Sequence, residues 1–147
     1  MGPPTLKVVP GEGNNKRRPL RILLADDNRD EVLLLQVLLR DEGHEVHTCL
    51  RGDEVLELVR LLRPDVLLCD INMPGMSGYA VAREIKQRYA VAAPLLIGVS
   101  GVWTKTSEVS LGHAIGFDHY LAKPFEPAEL LRLLDSHREE SRASGAR

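Results

Sequence analysis

The sequence predicts an α/β domain, a five-stranded parallel sheet doubly wound with helices on both faces. Short apolar runs recur along the chain, segments with helical apolar spacing separate them, and the strand-helix unit repeats five times. Strands that are apolar throughout are buried on both faces, as in a parallel sheet covered by crossover helices.

The elements follow in order. Leu20 to Ala25 is an apolar run ending in two acids and reads as the first strand. Asn28 with Glu31 three residues later forms a capping box, and the helix continues through Val32 to Arg40 until Gly43 stops it. Glu45 to Cys49 alternates weakly and reads as the second strand. Asp53 to Leu62 carries a helical stripe at Val55, Leu56, Leu58, Val59 and Leu62, closed by Arg63-Pro64. Val66 to Cys69 is a wholly apolar third strand ending at Asp70. A loop rich in Gly and Pro leads to a helix over Tyr79 to Arg88, and Leu95 to Val99 is the fourth strand. A fourth helix spans Lys105 to Ile115 and is closed by Gly116. Asp118 to Ala122 is the fifth strand, and Pro127 opens a last helix reaching about His137.

The composition fits this picture. A chain of 147 residues suits one domain, and 44% apolar with 27% charged residues excludes a disordered, collagen-like or Lys/Arg-dominated chain. With 19 basic against 21 acidic residues there is no overall attraction to nucleic acid or to an anionic membrane. Cys49 and Cys69 sit in apolar runs without a CxxC pair and read as buried thiols in a reducing compartment. The longest apolar stretch, Ala90 to Val99, is broken by Pro94 and falls short of the roughly 20 residues of a membrane span. The N-terminus lacks the pattern of a secretion signal, so the expected location is cytoplasmic. Residues 1–19 read as a flexible tail with a basic cluster, residues 20–137 as the domain, and residues 138–147 as a frayed helix end and a second tail. Tails this short and polar leave no room for an output domain in this chain.

In such folds ligands bind at the carboxyl ends of the strands. The residues there are Asp26 and Asp27, Asp70, Ser100 and Lys123. Singly, each has a plain structural role: a helix cap, a loop anchor, a helix start, a surface charge. Together, three carboxylates at one edge repel one another and call for a counter-charge. A hard divalent cation such as Mg²⁺ supplies it through oxygen ligands, and Lys123 adds a further positive charge. Such a site suits a doubly negative guest, which points to phosphoryl chemistry and to a carboxylate nucleophile forming an aspartyl-phosphate. The five histidines show no metal-ligand spacing, and there is no nucleotide-binding glycine loop. The phosphodonor is therefore expected to be another protein or domain.

These residues resemble a known family. Ile22-Leu23-Leu24-Ala25-Asp26-Asp27-Asn28, the segment Asp65 to Gly78, Val99-Ser100-Gly101 and Gly116 to Phe125 with its Lys123-Pro124 pair are similar, in order and spacing, to receiver domains of two-component response regulators. The resemblance covers about residues 20–137. It implies the flavodoxin-like (βα)5 receiver fold with strand order 2-1-3-4-5. It makes Asp70 the phosphoacceptor, Asp27 a direct Mg²⁺ ligand, Asp26 a ligand through water and the Asn72 carbonyl a further ligand, with Mn²⁺ as a substitute metal. Lys123 would pair with the phosphoryl oxygens and Ser100 would hydrogen-bond them. Tyr120 would turn inward in response, changing the face of the fourth helix, fifth strand and fifth helix for a downstream protein. The donor would be a histidine kinase or a histidine phosphotransfer protein, with no nucleic-acid partner and no membrane insertion. Such a domain catalyses its own phosphorylation and is not a turnover enzyme.

Asn72 and Val102 lie two residues beyond Asp70 and Ser100, where family members tune phosphate lifetime. Val102 is apolar and cannot orient water, so slow autodephosphorylation is expected. Trp103 either shields the site or packs. Met73 and Met76 read as loop and packing residues. Two further readings stand beside the receiver: a receiver-like scaffold that works without phosphorylation, and a phosphatase that forms and hydrolyses an aspartyl-phosphate.

Overall fold

In a computed structural model of the chain, residues 18–101 and 116–145 are described. The elements are β1 (Arg21–Ala25), α1 (Arg29–Asp41), β2 (Glu45–Cys49), a 3₁₀ turn (Gly52–Glu54), α2 (Val55–Leu62), β3 (Val66–Asp70), α3 (Gly78–Tyr89), a 3₁₀ turn (Ala90–Ala92), β4 (Leu95–Ser100), β5 (His119–Ala122) and a C-terminal helix (Pro127–Gly145). The expected helix at Lys105 to Ile115, together with Val102 and Trp103, lies outside the described residues.

The five strands form one parallel sheet in the order β2-β1-β3-β4-β5. Successive side chains point to opposite faces, so each strand feeds two cores. Leu23, Ala25, Leu67, Cys69 and Leu96 face Val55 and Val59 of α2 and Val81, Ala82 and Ile85 of α3. Ile22, Leu24, Leu68, Ile97 and Val99 face Leu39 of α1 and Leu130 and Leu134 of the C-terminal helix. Both cysteines are free and buried in the first of these layers. Burial pushes both thiols up from their ordinary value.

Several boundaries differ from the sequence pattern. The second helix begins as a 3₁₀ turn because Gly52 is drawn against the loop after β3: its amide donates to the Pro74 carbonyl at 3.0 Å. The third and fourth strands extend to Asp70 and Ser100, since the ladder continues as Asp70 pairs with Val99 and Ser100 with Ala122. The last helix runs past His137 to Gly145. Arg138 is buried there, paired with Asp135 and donating to the Arg18 carbonyl at 3.4 Å, which draws one more turn onto the domain.

At the amino ends of the strands, His44 is buried and its Nδ1 accepts from the Leu20 amide at 3.1 Å. Burial, with the Arg138 charge beside it, lowers its pKa from 6.5 to about 4, against weaker opposing effects of Asp135 and Asp65. A depressed pKa favours the neutral ring in the folded state. Its contribution is fully present above pH 6.5 and fades as pH falls toward 4, about 3 kcal/mol in all. His137, also lowered by burial, acts in the same direction. Denaturant titrations between pH 7.5 and 4.5 are therefore expected to show a loss of that order, and His44→Asn, which keeps an acceptor but cannot protonate, to flatten most of it. An equal slope in the variant would show that His44 is not the group responsible.

Candidate functional site

The carboxyl ends of β1, β3, β4 and β5 meet at one edge, and the sequence-predicted residues converge there. Asp26 follows β1, and its backbone is fixed by a 3.1 Å bond from its N–H to the Cys49 carbonyl. Its Oδ1 accepts from the Asn28 amide at 2.9 Å, a short-range turn that aims the other oxygen inward. Asn28 in turn caps α1, its side chain accepting from the Glu31 amide at 3.1 Å. Asp70 ends β3 in a buried position, with its Oδ1 accepting from the Asn72 amide at 3.1 Å.

The Lys123 ammonium crosses the sheet edge to join these groups. It donates to Asp26 Oδ2 at 2.8 Å and to Asp70 Oδ2 at 3.3 Å. Its own amide donates to the Ser100 carbonyl at 2.7 Å, which sets where the side chain leaves the strand. Gly101 lies alongside that path, where a Cβ would meet Lys123 Cδ in ordinary contact at 3.4 Å.

The electrostatics follow from this geometry. Burial raises the Asp70 carboxyl above its ordinary value, and the Asp26 charge adds to the shift, while the Asn72 amide and Lys123 oppose it. Burial alone would lower Lys123, but its hydrogen bonds to Asp26 and Glu31 and the carboxylate charges outweigh this and hold the ammonium well above its ordinary range. Asp26, Asp27 and Asp70 each present a carboxylate oxygen within 4.8 Å of the others. Asp27 is exposed, so this acidic face opens to solvent. Hard oxygen donors, one of them held reluctantly ionised, fit a small divalent cation.

The loop carrying Asp70 is fixed by backbone contact. The Gly78 amide donates to the Ile71 carbonyl at 2.8 Å, and a Cβ on Gly78 would lie 2.7 Å from the Asp70 carbonyl oxygen. On the other side, a Cβ on Gly52 would lie 1.8 Å from the Met76 carbonyl oxygen. Two glycines thus let the loop close against its neighbours.

Ser100 is buried at the end of β4, and Tyr120 is half-buried on β5, two strands from Asp70 with β4 between. Val102 lies outside the described residues. Two participants had been given other roles by the sequence. Glu31 does not complete the capping box, because the Asn28 amide is taken by Asp26; its Oε1 instead lies 2.6 Å from Lys123 Nζ, a third carboxylate on one ammonium. The second is α1 itself, which leaves Leu33, Leu34 and Val37 58%, 72% and 60% exposed. A groove of about 690 Å³ runs from Asp26, Asp70 and Lys123 to Leu34 and Leu38 of α1 and to Phe125. The signal was present in the unbroken apolar run Val32 to Leu35, more than one buried stripe needs.

Comparison with known proteins agrees with the geometry. Residues 22–135 match the response regulator receiver domain. The DNA-binding response regulator MtrA of Mycolicibacterium paratuberculosis is 38% identical over 111 residues, 76% of this chain and 48% of that protein. MtrA of Mycobacterium tuberculosis is likewise 38% identical over 76% of this chain and 47% of its own length, so the chain spans about half the length of these curated relatives. Among solved structures, a response regulator of Chloroflexus aurantiacus superposes with a TM-score of 0.75 at 30% identity, covering 83% of this chain and 99% of that one. A CheY-like receiver domain protein of Methanospirillum hungatei shares the fold, with a TM-score of 0.78 at 24% identity over 86% of this chain and 99% of its own. With the family's match spanning most of the chain and its acidic edge, lysine and loop assembled in the structure, this protein belongs to the response regulator receiver domains of two-component signalling.

Proposed function

We propose that this domain accepts a phosphoryl group on Asp70 from a phosphohistidine of a histidine kinase or phosphotransfer protein in the cytoplasm, and passes the change to a partner-binding surface. The observation that carries this reading is the pairing of Asp70 with Lys123 beside the Asp26–Asp27 acidic face. Asp70 attacks the phosphorus through a side-chain oxygen. A P–O bond forms, the P–N bond breaks, and the electron pair leaves on the donor imidazole, which takes up a proton. Mg²⁺, or Mn²⁺ in its place, would be held by Asp27, Asp70, the Asn72 carbonyl and, through water, Asp26; when bound it offsets negative charge on the phosphoryl oxygens.

The chain's own groups supply the rest. The Asn72 amide on Oδ1 and the Lys123 ammonium on Oδ2 fix the orientation of the Asp70 carboxylate. Lys123 is held fully cationic, ready for the added charge. Ser100 would donate to the new oxygens and Tyr120 would follow, shifting the face of the fourth helix, fifth strand and fifth helix for a downstream protein. Asn72 and Val102 would set how fast the phosphate is lost. The exposed leucines of α1 and the groove beside them suit an apolar helix face on the phosphodonor, bringing its histidine to Asp70. In this reading the domain is a signalling module, not an enzyme that turns over.

The test incubates the protein with Mg²⁺ and a small phosphoramidate donor and follows intact mass. One added phosphoryl group is expected in the wild type and none in Asp70→Asn. No uptake by the wild type would favour a phosphorylation-independent scaffold, and rapid release of inorganic phosphate would favour a phosphatase. Asp70→Asn should also melt at a higher temperature at pH 7. A carboxyl whose folded pKa is raised costs stability once ionised, and the amide removes that cost. A lower melting temperature would contradict the electrostatic account.

A further inference from the structure

The hydroxyl of Tyr120 donates to the hydroxyl of Tyr79 at 2.7 Å. Tyr79 is the second residue of α3 and directly follows Gly78, whose backbone is pressed against the Asp70 carbonyl and bonded to Ile71. Its backbone is thereby tied to the loop that carries the phosphoacceptor. Phe117 completes a three-ring cluster, with its centroid 6.2 Å from Tyr79 and 5.8 Å from Tyr120. Phe117 is itself seated against Gly98 of β4, where a Cβ would lie 3.1 Å from the ring. The cluster therefore spans α3, β4 and β5 on one face of the sheet, and β5 leads on to Lys123 within three residues of Tyr120.

We infer that Tyr79 is a positioning residue: its hydroxyl latches Tyr120 inward and so fixes how far the domain already stands toward its phosphorylated conformation before phosphate arrives. The inference rests on the receiver reading for what Tyr120 does. A hydroxyl pair in a half-buried site favours the state in which it is made, and that state alone. Any ligand at Asp70 that prefers Tyr120 inward is helped by the latch, and by linkage the latch is strengthened by that ligand. Phe at position 79 would keep the ring contacts and remove only the hydroxyl. The effect should be about five-fold in the inward-to-outward ratio of Tyr120, the factor one net hydrogen bond supplies. A chain lacking the latch must draw that factor from the phosphoryl group.

The chain has three tyrosines, Tyr79, Tyr89 and Tyr120, so 3-fluorotyrosine labelling gives three fluorine resonances that single Phe variants assign. In the wild type the Tyr120 resonance is expected at a water-shielded position without phosphate. In Tyr79→Phe it should gain solvent-isotope sensitivity and exchange broadening. Beryllofluoride with Mg²⁺, a mimic of the phosphoryl group, should restore the shielded position, at a half-saturating concentration higher than in the wild type by the ratio of the two inward populations read from the ligand-free spectra, with about five-fold as the ceiling. In a Tyr120→Phe background, with beryllofluoride binding followed by titration calorimetry, Tyr79→Phe should no longer change that concentration, whereas loss of mere packing would change it in both backgrounds. An unaltered Tyr120 resonance in Tyr79→Phe, or the same effect in both backgrounds, would overturn the latch. Failure of the wild type to bind beryllofluoride would count against the receiver reading instead, while the ligand-free spectra would still decide the latch.

Discussion

Lys123→Met is expected to destabilise the domain by about 3 kcal/mol at pH 7 and low metal, and to abolish stable phosphorylation. The ammonium lies 2.8 Å from Asp26, 3.3 Å from Asp70 and 2.6 Å from Glu31, and its side chain is only 17% exposed. Methionine preserves the apolar stem and deletes the charge. Asp26 and Asp70 then face each other at a buried edge with no counter-ion, and removing one partner from such a group costs about 3–5 kcal/mol. The lower end applies here because Glu31 and Asp27 open toward water. Added Mg²⁺ should raise the melting temperature of the variant more than that of the wild type, since the cation becomes the sole counter-charge. The contrast with Asp70→Asn is diagnostic: deleting the cation destabilises and deleting the buried anion stabilises. Equal unfolding free energies for Lys123→Met and the wild type would show that the lysine is not the electrostatic keystone of the edge.

Gly52→Ala should cost about 3 kcal/mol and disturb the site without touching it chemically. The added methyl would lie 1.8 Å from the Met76 carbonyl oxygen and 2.8 Å from its carbon, both backbone atoms that cannot rotate aside. Either the 3₁₀ turn before α2 or the loop from Ile71 to Ser77 must move. The second choice carries the Asn72 amide away from Asp70. Gly43→Ala makes the control. Gly43 has φ +95° but nothing within 4 Å of the new methyl, so it should lose only about 1 kcal/mol of backbone strain and leave phosphoryl uptake unchanged. Urea unfolding separates the two. Comparable losses at both glycines would mean that the loop yields freely and does not hold Asp70 in place.

Much of the fold was legible because its signals are local. Apolar strands, an asparagine cap at Asn28 and the residues at the end of each strand are properties of consecutive residues; the cap lies where the pattern puts it, and the strand ends lie within a residue of it. The convergence of Asp26, Asp70 and Lys123 was legible for a related reason: in a parallel sheet every strand end falls at the same edge. The misreadings concern residues whose partner is distant in sequence. Glu31 reads as a cap until a lysine at position 123 competes for it. Arg138 reads as tail until its bond to the Arg18 carbonyl, 120 residues back along the chain, draws it onto the domain. Tyr79 reads as the start of a helix, and no spacing rule pairs it with a tyrosine 41 residues on. The α1 leucines sit on a helix as expected, but which of them stays exposed depends on how far the C-terminal helix covers that face.

The two buried thiols have a kinetic meaning. Cys69 precedes Asp70 on the central strand β3, is fully enclosed and is held far from its thiolate form. An alkylating reagent can reach it only through an opening that exposes the strand, so its modification rate is a clock for that opening. Cys49, opposite Ala25 on the edge strand β2, times the opening of the sheet's margin. One chain thus carries two built-in stopwatches, and the one beside Asp70 would register any change in that carboxylate as a change in how long the strand stays shut.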